Sequence, residues 1–335
     1  MRAPEANLSG RPEAGSLECG LFARSHGEAA GRWPVQTVLL PGGFVDAEGL
    51  PHREVELAPL TGFDEEFLAG VDSAGGCASL VTALLTRCVK RVGRLERVTT
   101  SLVRDLLVGD RDFLMLKLRE TTFGKKLDAV LYCGDSNCGK PMDVTLNIDD
   151  FAPEAKPVAS RFFALDLPVP ESRSDKFSVE FRLPTGADQE ATALSVANGE
   201  EPVIDPLFAR MIARVNEETR VDQDLVGSLP AALKLAIEAE MEKLAPQLTI
   251  ELEIVCVECK KTFSTLLDLS SFFLAEIKQG LRSLDREVHF LAWHYHWPES
   301  DILGLTRRKR RGYIGLIQEE TLGASSAEAH RIGAA

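Results

Sequence analysis

The chain has 335 residues, 44% hydrophobic and 27% charged, enough for two or three domains at the usual domain length. Lys and Arg total 38 against 51 Asp and Glu, a formal charge of −13 that excludes a surface shaped throughout for phosphate backbones and confines any nucleic-acid contact to a local basic patch. No apolar run approaches the roughly 20 residues needed to span a bilayer, so no membrane insertion and a cytoplasmic address are expected.

Residues 1–34 are rich in Gly, Ala, Glu, Arg and Ser without periodicity, and a mobile arm is expected there. Residues 35–155 read as strand, turn, helices and hairpin. Val55-Glu56-Leu57 alternates, Thr61-Gly62 followed by Asp64 carries turn and helix-start chemistry, and residues 80–92 and 102–118 space apolar residues three and four apart. Residues 127–131 and 142–146 then alternate at period two on either side of a turn, the pattern of a hairpin. Residues 156–275 repeat that order. Residues 55–69 align with 179–193 at an offset of 124 with seven of fifteen positions identical, including Thr185-Gly186 and Asp188. Residues 206–215 and 230–244 read as helices, and residues 248–254 and 263–267 flank a second hairpin turn.

Seven cysteines, an odd number, point to thiols or metal ligands rather than a disulfide framework. Cys19, Cys77 and Cys88 are solitary and read as packing residues. The other four occupy the two hairpin turns, Cys133 and Cys138 around Gly-Asp-Ser-Asn, Cys256 and Cys259 around Val-Glu. Two thiolates fill half of a tetrahedral zinc shell, so the pattern predicts either a closed, structural zinc site of Cys133, Cys138, Cys256 and Cys259 that joins the halves, or a metal-free pair of turns. A redox reading of Cys256-Val257-Glu258-Cys259 is weaker, because a strand pattern and not a helix follows. Residues 134–140 copy the start of a phosphate-binding loop, but Pro141 stands where a Ser or Thr is required.

The C-terminal part, 276–323, reads as a helical segment, with 324–335 expected to be disordered. Its aromatic run, 287–297, contains Trp293 and Trp297 and stops at Pro298; residues 299–305 suggest a short helix, and Thr306 caps a third. His289, His294 and His296 lack the four-residue spacing that sets two ligands on one helix face, so packing roles are expected. Arg307-Arg308-Lys309-Arg310-Arg311 reads first as a solvated helix face, next as a contact for an acidic protein, and third as a nucleic-acid contact. Trp293, Trp297 and this basic run are the candidate partner-binding residues.

In this order, Val55-Glu56-Leu57, Thr61-Gly62-x-Asp64-Glu65-Glu66, Gly109-Asp110-Arg111-Asp112-Phe113-Leu114, Thr122-Phe123-Gly124, Cys133 with Cys138, Leu183-Pro184-Thr185-Gly186-Ala187-Asp188 and Cys256-x-x-Cys259 resemble the baseplate-hub assembly chaperone family of contractile-tailed phages. Related proteins occur in phage-derived contractile injection systems, and the resemblance covers roughly residues 36–275. The tail is similar to small accessory proteins of the same loci. The resemblance implies a non-enzymatic role in building a baseplate or hub, with baseplate, hub, tail tube or tape-measure proteins as partners. The residues agree on the absence of catalysis: no His-Glu-x-x-His, nucleophile-elbow or dinucleotide motif is present. The alternative function is a zinc-ribbon nucleic-acid-binding protein that uses the run 307–311. A hydrolase would need an open metal site, which four thiolates do not leave. The expected fold is α+β: an internally duplicated core of strands and helices, two cysteine-bearing β-hairpins forming a zinc-ribbon-like site, and a small helical C-terminal tail.

Overall fold

A computed structural model describes residues 35–71, 76–151, 153–168, 176–199, 204–248 and 250–332; the expected arm, 1–34 with Cys19, lies outside them. Alternating segments bounded by turns form small antiparallel sheets, as period-two burial requires. β1 (Gln36–Val45), β2 (Pro51–Leu57) and β3 (Val89–Val92) make the first, in that order. β2 turns His52, Val55 and Leu57 inward. Between β2 and β3 the chain forms α1 (Gly62–Gly70) and α2 (Gly76–Cys88), and α3 (Thr100–Asp105) and α4 (Val108–Phe123) follow. The hairpin of β4 (Lys126–Tyr132) and β5 (Pro141–Asn147) ends this run.

The second run has the same order. β6 (Phe163–Pro168), β7 (Lys176–Phe181) and β8 (Ile212–Val215) form a sheet in that order, with α5 (Gly186–Ala197) and α6 (Ile204–Met211) before β8. Then come α7 (Gln223–Ser228), α8 (Ala231–Leu244) and the hairpin of β9 (Glu251–Val255) and β10 (Thr262–Leu266). Individual bonds correspond as well. Asp64 accepts the Thr61 backbone N–H at 2.9 Å and Asp188 that of Thr185 at 2.9 Å, each closing a helix start. Arg87 pairs with Asp64 and Arg210 with Asp188, while Arg91 pairs with Glu56 and Arg214 with Glu180. The pairing with the third strand slips at the corresponding place in each sheet, between Glu56 and Leu57 and between Glu180 and Phe181. Left-handed Gly93 (φ 53°) and Asn216 (φ 50°) donate to Glu54 O and Ser178 O, both at 2.7 Å.

Three helix boundaries differ from the sequence expectation. The helix expected over 102–118 breaks at Leu106-Leu107 into α3 and α4. Those expected over 80–92 and 206–215 end at Cys88 and Met211, and their last four residues become β3 and β8. Val89 and Val92, like Ile212 and Val215, are β-branched and sit three apart, which fits a helix turn as well as a four-residue strand; pairing with β2 and β7 decides the matter.

Each sheet packs on its own helices. Val55, Leu57, Leu84, Leu85, Leu114 and Leu118 lie in the first core and Val179, Phe181, Phe208, Ile212, Val226 and Ile237 in the second. α5 sits on the α3–α4 corner: Gly186 N–H donates to Leu106 O at 3.1 Å. Fully buried Arg111 fixes this junction by donating to Val103 O and Thr82 Oγ1, each at 3.0 Å, and to Gln189 Oε1 at 3.1 Å. The residue before it, buried Asp110, accepts N–H groups of Gly42 and Gly43, both at 2.8 Å, and burial pushes its carboxyl up to about 6 against their pull. α4 also touches the segment before β9 so closely that a Cβ on Gly109 would lie 1.9 Å from Pro246 O. Gly109→Ala is therefore expected to cost about 1–3 kcal/mol through forced backbone displacement; an unchanged midpoint in urea unfolding would contradict this.

Two of the three C-terminal helices, the first and the last, are longer than expected. α9 (Leu269–Tyr295) starts at Asp268, whose side chain accepts the Ser271 N–H at 3.0 Å, and its stripe of Phe273, Leu274, Ile277, Leu284 and Leu291 is buried. Phe273, Leu274 and Ile277 complete the first core, and Arg119 of α4 clamps Glu276 with two 3.0 Å bonds. α10 (Glu299–Leu303) and α11 (Arg307–Ile332) follow. α11 continues through residues 324–332, which were expected to be disordered; Ala and Glu are strong helix formers and extend a helix already nucleated upstream. Among the described residues, no helix is long and apolar enough to cross a membrane.

Candidate metal centre

The cysteine turns are built by backbone bonds. In the first, Cys133 N–H donates to Lys140 O at 2.9 Å, and Cys138 and Gly139 N–H both donate to Asp135 O, at 2.9 and 3.0 Å. In the second, Cys256 N–H donates to Lys261 O and Lys260 N–H to Cys256 O, both at 3.0 Å. The residue after the second cysteine is left-handed in each turn, Gly139 at φ 56° and Lys260 at φ 60°. This reversal lets the two sulfurs of one turn face the other hairpin. Residues 134–140 lead into β5 and not into a helix, so they form no phosphate-binding helix terminus.

All four sulfurs lie within 4.8 Å of one another, and two pairs cross between hairpins, Cys133 to Cys259 at 3.7 Å and Cys138 to Cys256 at 3.8 Å. Sulfurs about 2.3 Å from one tetrahedral ion lie about 3.8 Å apart, whereas a disulfide needs about 2.0 Å. The spacing fits a shared metal ion. Cys133 and Cys256 are buried, and Met142, Ile254 and Phe263 pack around the four. Backbone N–H groups of Cys259 and Glu258 pull the Cys256 thiol down to about 7. Cys133 also faces a backbone N–H, from Asp135, but burial and the neighbouring sulfurs push it up to about 12. Four thiolates this close repel one another, and a cation among them is what allows all four to be deprotonated together. Such an ion would have no coordination position left for water or substrate.

The hairpins share a small core beneath the site, with Leu127, Ala129, Ile250 and Leu252 packed on Leu116 of α4 and Leu269 of α9. Lys261 pairs with Asp135 and Lys140 with Glu258 across the two turns, but these are exposed pairs that add little stability. Cys77 and Cys88 stay apart from the cluster. Burial pushes both thiols up, so neither has the character of an activated nucleophile.

The tail residues divide in two. Trp293 is 72% exposed, whereas Trp297 stacks on Tyr295 at 4.7 Å and meets Tyr313 edge-on at 5.0 Å. Arg308, Lys309 and Arg311 are exposed. Arg307 and Arg310 are not: Arg310, fully buried, donates to Glu65 Oε1 at 2.6 Å, Glu287 Oε2 at 3.0 Å and Leu305 O at 2.8 Å. Arg307 lies over the Phe123 ring at 4.9 Å, with Glu65 at 3.6 Å. This corrects the reading of 307–311 as one solvent-facing basic run. The signal was present in the spacing, since Arg307, Arg310, Ile314 and Ile317 recur three or four apart on one helix face. Their acidic partners, Glu65 and Glu287, have no such signal.

Fold and site together define a mixed α+β protein with small antiparallel sheets and a four-cysteine cluster able to hold a metal ion. Over residues 45–274, a span that includes both cysteine turns, the chain matches the family described as T4 bacteriophage base plate protein, and it belongs to that family. No curated protein and no solved structure matches it.

Proposed function

We propose that the chain is a non-enzymatic assembly or structural component of the baseplate or hub of a contractile, phage tail-like injection particle. Its body consists of two repeats, 35–155 and 156–275, that arose by internal duplication, and structural zinc on Cys133, Cys138, Cys256 and Cys259 joins them as a zinc-ribbon-like pair of hairpins. The observation that carries this reading is membership of the baseplate family over a span holding all four cysteines. The corresponding bonds of the two runs, among them Arg87–Asp64 and Arg210–Asp188, support duplication.

Made in the cytoplasm, the protein acts as a hub assembly chaperone or is built into the particle. Its partners are baseplate, hub, tail tube or tape-measure proteins, contacted through Trp293, the outer edge of Trp297 and the exposed Arg308, Lys309 and Arg311. Nucleic-acid binding by 307–311 is the weaker alternative, because two of the five basic residues point into the protein and the whole chain carries −13. A pull-down with the purified chain against the tail tube, hub and tape-measure proteins of the same locus tests the proposal. Retention of at least one is expected, and retention of none rejects it.

A further inference from the structure

Among the described residues, one helical corner occurs three times and is occupied twice. The corners are α3–α4 at Leu106-Leu107, α10–α11 at Leu305-Thr306 and α7–α8 at Leu229-Pro230. The first helix of each buries one apolar residue completely, Val103, Ile302 and Val226. The second helix of each opens with the same bond: Arg111 N–H to Leu107 O at 3.0 Å, Arg310 N–H to Thr306 O at 3.0 Å and Lys234 N–H to Pro230 O at 3.2 Å. A basic residue therefore stands four positions past each junction.

The two occupied corners receive the same thing. Gly186, opening α5, donates its N–H to Leu106 O at 3.1 Å; Thr185 bridges to Leu107, and Arg111 reaches Gln189 at 3.1 Å. Gly62, opening α1, donates to Leu305 O at 3.1 Å; Thr61 bridges to Thr306, and Arg310 reaches Glu65 at 2.6 Å. The glycine is required for contact, since a Cβ on Gly62 would lie 2.9 Å from the Leu303 backbone.

The third corner holds no helix start among the described residues. Ala231 and Ala232 are exposed and Leu235 is 65% exposed, whereas the counterparts of Ala231, Val108 and Arg307, are half-buried and buried. Lys234 donates to Asp205 at 2.6 Å, just as Arg111 donates to Thr82 at the equivalent place in the first run. Both Thr-Gly starts of the chain are already seated, so a second copy has none to offer while its own tail is in place. We infer that the α7–α8 corner is the docking site for a helix start supplied by a different protein: extended chain, Thr, Gly, then a helix with Asp third and Glu or Gln fourth. This inference rests on the fold and not on the proposed particle.

A fluorescent peptide copying residues 51–70 is the probe, titrated with the full-length protein and read by anisotropy. Saturable binding is expected, and Gly62→Val in the peptide or Ala231→Arg in the protein weakens it by at least about tenfold. Ala231 is exposed, so its substitution leaves the melting temperature unchanged and separates docking from folding. Absence of saturable binding, or binding indifferent to Ala231→Arg because the peptide has displaced the chain's own Thr61-Gly62 start from the α10–α11 corner, overturns the inference. Concentration-dependent dimers that Ala231→Arg abolishes would equally overturn it, by assigning the corner to a second copy.

Discussion

Cys256→Ser protein is expected to purify with less than about a tenth of the zinc of the wild type, which should carry about one ion per chain. Cys256 is fully buried and its sulfur sits 3.8 Å from that of Cys138 across the hairpin interface, so a serine oxygen there removes one corner of the tetrahedron and leaves three thiols crowded. Structural zinc sites of this class contribute on the order of 10 kcal/mol to the folded state of small domains, and loss of even about 4 kcal/mol should lower the melting temperature by roughly 6 °C. A chelator should reproduce the shift in the wild type and have no effect on the variant. Cys77→Ser, remote from the cluster, keeps its zinc and serves as the control. Metal analysis showing no zinc in the wild type, or a full complement in Cys256→Ser, would refute the site.

The second large effect falls on the tail. Arg310→Ala is expected to destabilise the protein by about 3–5 kcal/mol, because it strands Glu65 and Glu287 as buried carboxylates without their shared cation. The same substitution removes the bond to Leu305 O that holds the α10–α11 corner over Gly62. Amides of α10 and of the first turns of α11 should then exchange hydrogen faster than those of the first sheet. A double variant, Glu65→Ala with Arg310→Ala, should cost less than the sum of its two single changes, as contacting charges do in a mutant cycle. Strict additivity would show that the pair is not coupled. Arg308→Ala, at an exposed position, is expected to stay within about 0.5 kcal/mol of the wild type.

The difference between Arg308 and Arg310 shows where the sequence could be read and where it could not. The cysteine hairpins were legible because alternation and turn chemistry are local, and a count of four thiols on two turns already describes a cluster able to hold one ion. The Thr-Gly-x-Asp starts were legible for the same reason. Long-range partners were not. Nothing near Arg310 in sequence announces Glu65, 245 residues away, and five consecutive basic residues conceal the three-and-four spacing that turns two of them inward. β3 and β8 were unreadable in another way: four residues cannot distinguish a period of 2 from one of 3.6, and only pairing with β2 and β7 does so. The sequence shows α9 at its aromatic end, while its true start, the Asp268 cap, lies directly after the outgoing strand of a hairpin, 263–267, with no gap to mark it.

The crossing of the sulfur pairs also has a meaning in time. Cys133 and Cys138 leave the ribosome 126 and 118 residues before the cysteines they meet across the hairpins, Cys259 and Cys256. At about 5–20 residues per second that is a wait of roughly 6–25 s, during which the first turn holds half a coordination shell. The four-thiolate cluster can close only once the chain has been made past Cys259, so the interval before closure is when these thiols are most open to oxidation.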